Sequence, residues 1–196
     1  MTNNVLINNK QMKIYVASSW RNKYQQSVVS ILRAIGHEVY DFRNPPHGKG
    51  GFSWNDIDPN WDKWTTSEYR AALEHPVSVN GFESDFNGMK WADCCVMVLP
   101  CGRSAHSEAG WFAGMGLRTY VFSPEKEEPE LMYKIYDGIF ATIGELADAF
   151  TDENLLTYGN KRNSPVKRAS KRAKAKKEVL DSEEKPEEAE AREGSE

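Results

Sequence analysis

Long apolar runs are missing from this chain of 196 residues. No stretch reaches the roughly 18 apolar residues that a membrane span needs, and mean hydropathy is -0.67. The first residues, MTNNVLINNKQMK, lack the apolar core of a secretory leader. Cysteine is scarce: the three are Cys94, Cys95 and Cys101, an odd number crowded into one segment. That is no disulfide framework and fits a reducing, cytoplasmic setting. The glycine signatures of nucleotide phosphate loops are absent as well. No G-x-G-x-x-G follows the first strand, and GKGG at 48–51 is not a P-loop. The four histidines have no metal-ligand spacing and no Cys-x-x-Cys occurs, so neither a metal nor any other cofactor is expected.

Charge divides the chain. Residues 161–177 carry nine Lys/Arg and no acid, whereas 178–196 carry nine Asp/Glu and two Lys/Arg. The remainder, 1–160, holds 14 basic and 20 acidic residues. With no aromatic residue and few large aliphatics, residues 161–196 have too little apolar surface to offset their ordering entropy. It reads as a disordered segment over 158–196, and residues 1–11 as a flexible N-terminus. The basic block 161–177 is either a solvated, self-compensating tail or a nucleic-acid contact or localisation signal. The adjacent acidic block opposes nucleic-acid binding.

Between these ends the hydrophobic pattern is that of an α/β domain, 12–157. Lys13–Ala17 reads as a buried strand. Tyr24, Val28, Ile31, Leu32 and Ile35 recur at helical spacing up to the stop at Gly36, and His37–Phe42 is a second strand. Strand, helix and strand in about 30 residues form a βαβ unit with a right-handed crossover. After an interruption the pattern resumes with a helix over Phe82–Trp91 and an apolar central strand, Cys94–Leu99. A helix over Ala105–Met115, strands at Thr119–Phe122 and Ile139–Phe140, and a closing helix, Gly144–Phe150, follow. The expected fold is a doubly wound, Rossmann-like or flavodoxin-like parallel sheet of four to five strands. Its ligand site would lie at the carboxyl ends of the strands.

The interruption, 43–80, is rich in Pro, Gly, Asn and Asp and contains Trp54, Trp61 and Trp64, with a helix over Thr66–Leu73 behind a Thr cap. The three indoles either seal one edge of the core or form a lid whose rings stack on a planar ligand.

Two carboxylates stand where apolar packing normally excludes them. Glu108 shares a helical stripe with Ala105, Ala109, Phe112 and Met115, just past the central strand. A first-turn capping role is its ordinary alternative. Asp85 shares a helix face with Phe82, Phe86 and Met89. Gly102, Arg103 and Ser104 precede the Glu108 helix, where free N–H groups, a hydroxyl and a guanidinium converge as an anion site. The end of the first strand supplies Tyr15, Ser18, Ser19 and Arg21, with Ser19 a candidate N-cap. Asp93 fits a turn or cap, and His106 points to a different helix face from Glu108.

The segments IYVASSWR, Asp85 upstream of WAD, and LPCGRSAHSEAGWFAGMG resemble the nucleoside 2-deoxyribosyltransferase superfamily. That group includes the 2'-deoxynucleoside 5'-monophosphate N-glycosidases. The most specific element is the G-x-S-x-x-x-E-x-G pattern, combined with the early Tyr and the middle Asp. The resemblance implies that Glu108 is a nucleophile toward C1', that Asp85 assists departure of the base, and that Tyr15 orients the nucleophile. It also implies that Ser18, Ser19, Arg21, Gly102, Arg103 and Ser104 hold the substrate, with Ser19 and Arg21 at positions used for a 5'-phosphate. The classical transferases carry Asp six residues before the nucleophile; Gly102 stands there in this chain, which weighs against ordinary base exchange between free nucleosides, and the Ser/Arg-rich surroundings favour a phosphorylated substrate. The Trp-rich stretch at 50–64 is not a standard part of the small glycosidases. The implied activity is cleavage or transfer at the N-glycosidic bond of a 2'-deoxynucleoside or its 5'-monophosphate, by a dimer or larger homo-oligomer. An NAD-type glycohydrolase and a non-catalytic nucleotide-binding module are the alternatives.

Overall fold

A computed structural model of the chain describes residues 11–46 and 51–151. The expectations for residues 1–10 and for the charged tail lie outside the described residues. β1 (Lys13–Ala17) is buried from Ile14 onward, and its side chains alternate between the two faces of the sheet. Ile14 and Val16 join Val28, Leu32, Leu146 and Phe150 in one core. Tyr15 and Ala17 join Met89, Ala105, Ala109 and Phe112 in the other. β3 (Cys94–Val98) splits in the same way: Cys94, Val96 and Val98 go to the first core, Cys95 and Met97 to the second. Burial on both faces is what the continuous apolar run of β3 encodes.

Five strands form the sheet, in the order β2-β1-β3-β4-β5, all parallel. β2 is Glu38–Tyr40, β4 is Arg118–Phe122 and β5 is Gly138–Phe140. α1 (Gln25–Ala34) and α5 (Ile143–Thr151) cover one face, α3 (Pro76–Trp91) and α4 (Arg103–Gly114) the other. The doubly wound flavodoxin-like order is therefore present, with its switch point between β1 and β3. Among the described residues no helix is long and apolar enough to cross a membrane.

Several boundaries differ from the sequence expectation. β2 is three residues long. α2 (Thr66–Leu73) has the expected limits, with Thr65 and Glu68 closing a reciprocal capping box. α3 begins at Pro76, six residues earlier than expected, because the His75 ring accepts from Val77 N (3.2 Å) and proline occupies the first helical position. α4 begins at Arg103, which puts Arg103 and Ser104 in its first turn rather than in the preceding loop. Ser19 does not cap α1. Asn22 does so, its Oδ1 accepting from Tyr24 N (2.7 Å) and Gln25 N (2.9 Å). Asp93, expected in a turn or cap, instead reaches across to β1, its Oδ2 accepting from Lys13 N (3.0 Å).

At the carboxyl end of β2, buried Asp41 accepts from Gln25 Nε2 (2.7 Å), Gln26 Nε2 (3.0 Å), Asn44 Nδ2 (2.9 Å) and Arg43 N (3.1 Å). Burial pushes its carboxyl up, but the bonds from Asn44, Gln26, Gln25 and Arg43 outweigh that and hold it below its ordinary value. A depressed folded value stabilises the fold above the unfolded value of 3.8 and stops doing so as pH falls through the folded one. Asp41→Asn is thus expected to lower stability at pH 7 by about 1–3 kcal/mol. In urea unfolding, that deficit should shrink on acidification below about pH 4; a deficit independent of pH would contradict this account.

Candidate functional site

The loops after β1 and β3 leave the sheet in opposite directions and open a crevice at the switch point. Polar groups stitch them together. Ser18 Oγ donates to the Val98 carbonyl (2.9 Å), and Asn22 Nδ2 donates to the Val98 (3.3 Å) and Pro100 (2.9 Å) carbonyls. The Arg43 guanidinium holds the β1–α1 loop from the β2 side, donating to the carbonyls of Ser19 (2.9 Å), Trp20 (2.7 Å) and Asn22 (2.8 Å). The result is a preset cleft lined by Ser18, Ser19 and Trp20 on one side and Gly102, Ser104 and Glu108 on the other. Asp85 and Tyr40 also line it.

Glu108 and Asp85 come together from α4 and α3. Each is half-buried, and each has a phenol beside it. Tyr15 (1% exposed) and Tyr40 (7% exposed) are direct partners across β1 and β2, with rings stacked 5.3 Å apart at 9°. Tyr40 Oη donates to Asp85 Oδ1 (3.1 Å). Burial and then the Asp85 charge push Glu108 up to about 7, while the Tyr15 hydroxyl favours its charged form. Burial raises Asp85 and the Tyr40 bond opposes that rise. Both phenols stay protonated and able to donate: Tyr15 is raised well above its ordinary value, chiefly by burial and then by Glu108, and Tyr40 is pushed up to about 12 by burial. Glu108 is therefore the acid that holds its proton toward neutrality, and a charge on Asp85 favours its doing so.

The remaining expected residues divide. Ser18, Ser19, Gly102 and Ser104 line the cleft; Arg21 and Arg103 are exposed and do not. Trp54, Trp61 and Trp64 do not line it either. Trp54 packs edge-on against Phe52, Trp64 and Tyr69, while the indole N–H groups of Trp61 and Trp64 donate to Asn55 (3.1 Å) and Asp58 (2.8 Å). The rings satisfy one another inside the insert, so the aromatic walls of the cleft are instead Trp20, Phe42 and Phe52.

Sequence reasoning missed Tyr40, Arg43 and the cap at Asn22. For Tyr40 a signal existed: pairing β1 with β2 in parallel places two tyrosines side by side at the carboxyl ends of adjacent strands. Cys101 and His106 sit close together (Sγ to Nδ1, 3.7 Å) but do not make a nucleophile and base. His106 Nδ1 lies 2.9 Å from the Gly102 carbonyl, which can only accept, so that nitrogen carries the proton and Nε2 accepts from Tyr133 (2.7 Å). Burial and then Glu108 push the Cys101 thiol up to about 12. Among the described residues, no group of three or more His, Cys, Asp and Glu side chains has metal-holding geometry.

The raised Glu108 makes a stability prediction. The unfolded chain releases this proton near 4.5, the folded chain near 7. Folding is therefore increasingly disfavoured as pH rises through that window, and fully so above it. Glu108→Gln should be more stable than the parent at pH 8, by about 1–3 kcal/mol, and should lose that advantage by pH 4. Thermal or urea unfolding at the two pH values checks this; equal stability at pH 8 would count against the buried pair.

No family model matches the chain, and no curated protein matches it. Among solved structures, the chain is similar to a 2-deoxyribosyltransferase from Bacillus psychrosaccharolyticus. The identity is 23% over 73% of this chain and 94% of the other, with a TM-score of 0.50. A CMP N-glycosidase from Clostridium botulinum matches at 15% identity over 69% of this chain and 95% of that one, with a TM-score of 0.39. The first likeness shows that this chain shares its doubly wound fold with a 2-deoxyribosyltransferase.

Proposed function

We propose that the protein cleaves or transfers the N-glycosidic bond of a 2'-deoxynucleoside or its 5'-monophosphate, with Glu108 as nucleophile. The observation that carries this reading is the pair Glu108 and Asp85, half-buried at the strand carboxyl ends with a protonated phenol beside each. Breaking a C1'–N bond builds positive charge at C1' and negative charge on the departing base. The site supplies a carboxylate for the first and an acid for the second.

In this reading the proton that the pair retains passes from Glu108 to Asp85 in the substrate complex, and ionised Glu108, oriented by Tyr15, attacks C1'. The C1'–N electron pair passes to the base, and Asp85 gives the base nitrogen its proton. The resulting glycosyl ester is then attacked by a second base or by water. Ser18, Ser19 and Ser104 hydrogen-bond the sugar. Its 5' end lies toward the first turn of α4, where the leading N–H groups favour an anion. Arg21 and Arg103 are exposed side chains that reach a 5'-phosphate from outside the cleft wall. The aromatic walls Trp20, Phe42 and Phe52 suit a planar base. A homo-oligomer that completes the site is part of the same proposal.

Incubation with each deoxynucleoside and each 5'-monophosphate, with and without a free base, is expected to release or exchange base on chromatography. kcat/KM should fall as pH rises through about 7, where the pair gives up its last proton and Asp85 has none to donate. Glu108→Ala should lose roughly a thousandfold or more. No turnover with any substrate, or unchanged turnover in Glu108→Ala, would end the proposal.

A further inference from the structure

The glycosyl-transfer reading leaves one buried group in the cleft without a task. Tyr40 is clamped between two elements: the Tyr15 ring stacks on it, and the backbone of α3 lies against it at Gly88. A Cβ at residue 88 would stand 2.7 Å from Cε2 and Cζ of that ring and 2.8 Å from Cδ2. Glycine inside a helix is weaker than alanine by about 1 kcal/mol, so α3 forgoes some of its own stability for the place of this ring. The clamp aims the hydroxyl. Its oxygen lies 3.0 Å from the Ser84 carbonyl, 3.2 Å from Ser84 Oγ and 3.1 Å from Asp85 Oδ1.

A phenol has one proton, and here two good acceptors are at equal reach. The Ser84 carbonyl is neutral in every state, whereas the Asp85 carboxyl changes its charge. A hydrogen bond to a carboxylate is about twice as strong as one to a neutral carbonyl. We propose that Tyr40 is a positioning residue that acts through Asp85: its hydroxyl proton rests on the Ser84 carbonyl while Asp85 is neutral and turns to Oδ1 as Asp85 gives its proton to the departing base.

The inference rests on the glycosyl-transfer reading, and its step balances. The proton leaves Asp85 Oδ2 for the base nitrogen, the C1'–N electron pair goes to the base, Glu108 bonds to C1', and Asp85 is left as a carboxylate. The Tyr40 bond therefore strengthens during the step, which raises kcat rather than tightening substrate binding. Ser84 Oγ can donate to Tyr40 Oη in both states. The ionisable groups facing the pair are Glu108 on α4, Tyr15 on β1 and Cys95 on β3. Burial raises Tyr15 and Cys95 and keeps both neutral, so Glu108 is the neighbour whose charge changes near neutrality.

Tyr40→Phe keeps the ring and removes only the hydroxyl. It is expected to lower kcat about tenfold or more with KM within about twofold, and to move the high-pH limb of the rate profile upward. In the free protein, the 13C carboxyl signal of Asp85, assigned with Asp85→Asn, should titrate at higher pH in Tyr40→Phe. Gly88→Ala, which pushes the ring away, should move it the same way. The titration needs no turnover. Absence of base release by the parent protein overturns the glycosyl-transfer reading, and an Asp85 midpoint unmoved in folded Tyr40→Phe overturns the role of Tyr40. So does a loss carried by KM alone.

Discussion

Two carboxyl groups that face one half-buried cleft repel each other when both are charged, and burial penalises each charge again. Protein groups offset part of this. One proton is retained near neutrality, and one phenol stands beside each acid. The two phenols form one unit, since Tyr15 and Tyr40 are register partners whose rings stack at 9°. The sheet therefore sets the spacing of the donors, and the helices on that face, α3 and α4, set the spacing of the acids.

That arrangement needs loops that hold their shape. The Asp41 carboxylate ties the start of α1 to the end of β2, and the adjacent Arg43 holds three carbonyls of the β1–α1 loop. Ser18 and Asn22 then bind that loop to the end of β3. An acid and a base two residues apart at the tip of β2 thus fix the walls on both sides of the switch point. His106 does comparable work at the other wall, joining the first turn of α4 to Tyr133 through its two ring nitrogens.

The parts of the structure legible in the sequence are those set by local periodicity. β1, α1, β3 and β4 emerge from apolar spacing, and α2 from its Thr cap, because one stretch of chain contains the whole signal. The early start of α3 was hidden because a histidine caps it and Gly81 and Gly88 interrupt its pattern. Gly88 makes sense only once Tyr40 is seen against it, 48 residues away in sequence. Glu108 and Asp85 stood out as acids on apolar stripes. Tyr40 did not, since a tyrosine in a strand is ordinary until its partner acid is known. The tryptophans of the insert attracted attention by residue type, yet their hydrogen bonds and edge contacts are made within the insert.

The coupling between the two acids is the quantity on which the account stands. Titrating the side-chain carboxyl of Glu108 by 13C NMR, in the parent protein and in Asp85→Asn, measures it directly. The account predicts a midpoint near 7 in the parent, set by burial and by the Asp85 charge, and a lower midpoint once that charge is removed. A midpoint in the ordinary carboxyl range near 4.5, unchanged by the substitution, would contradict it.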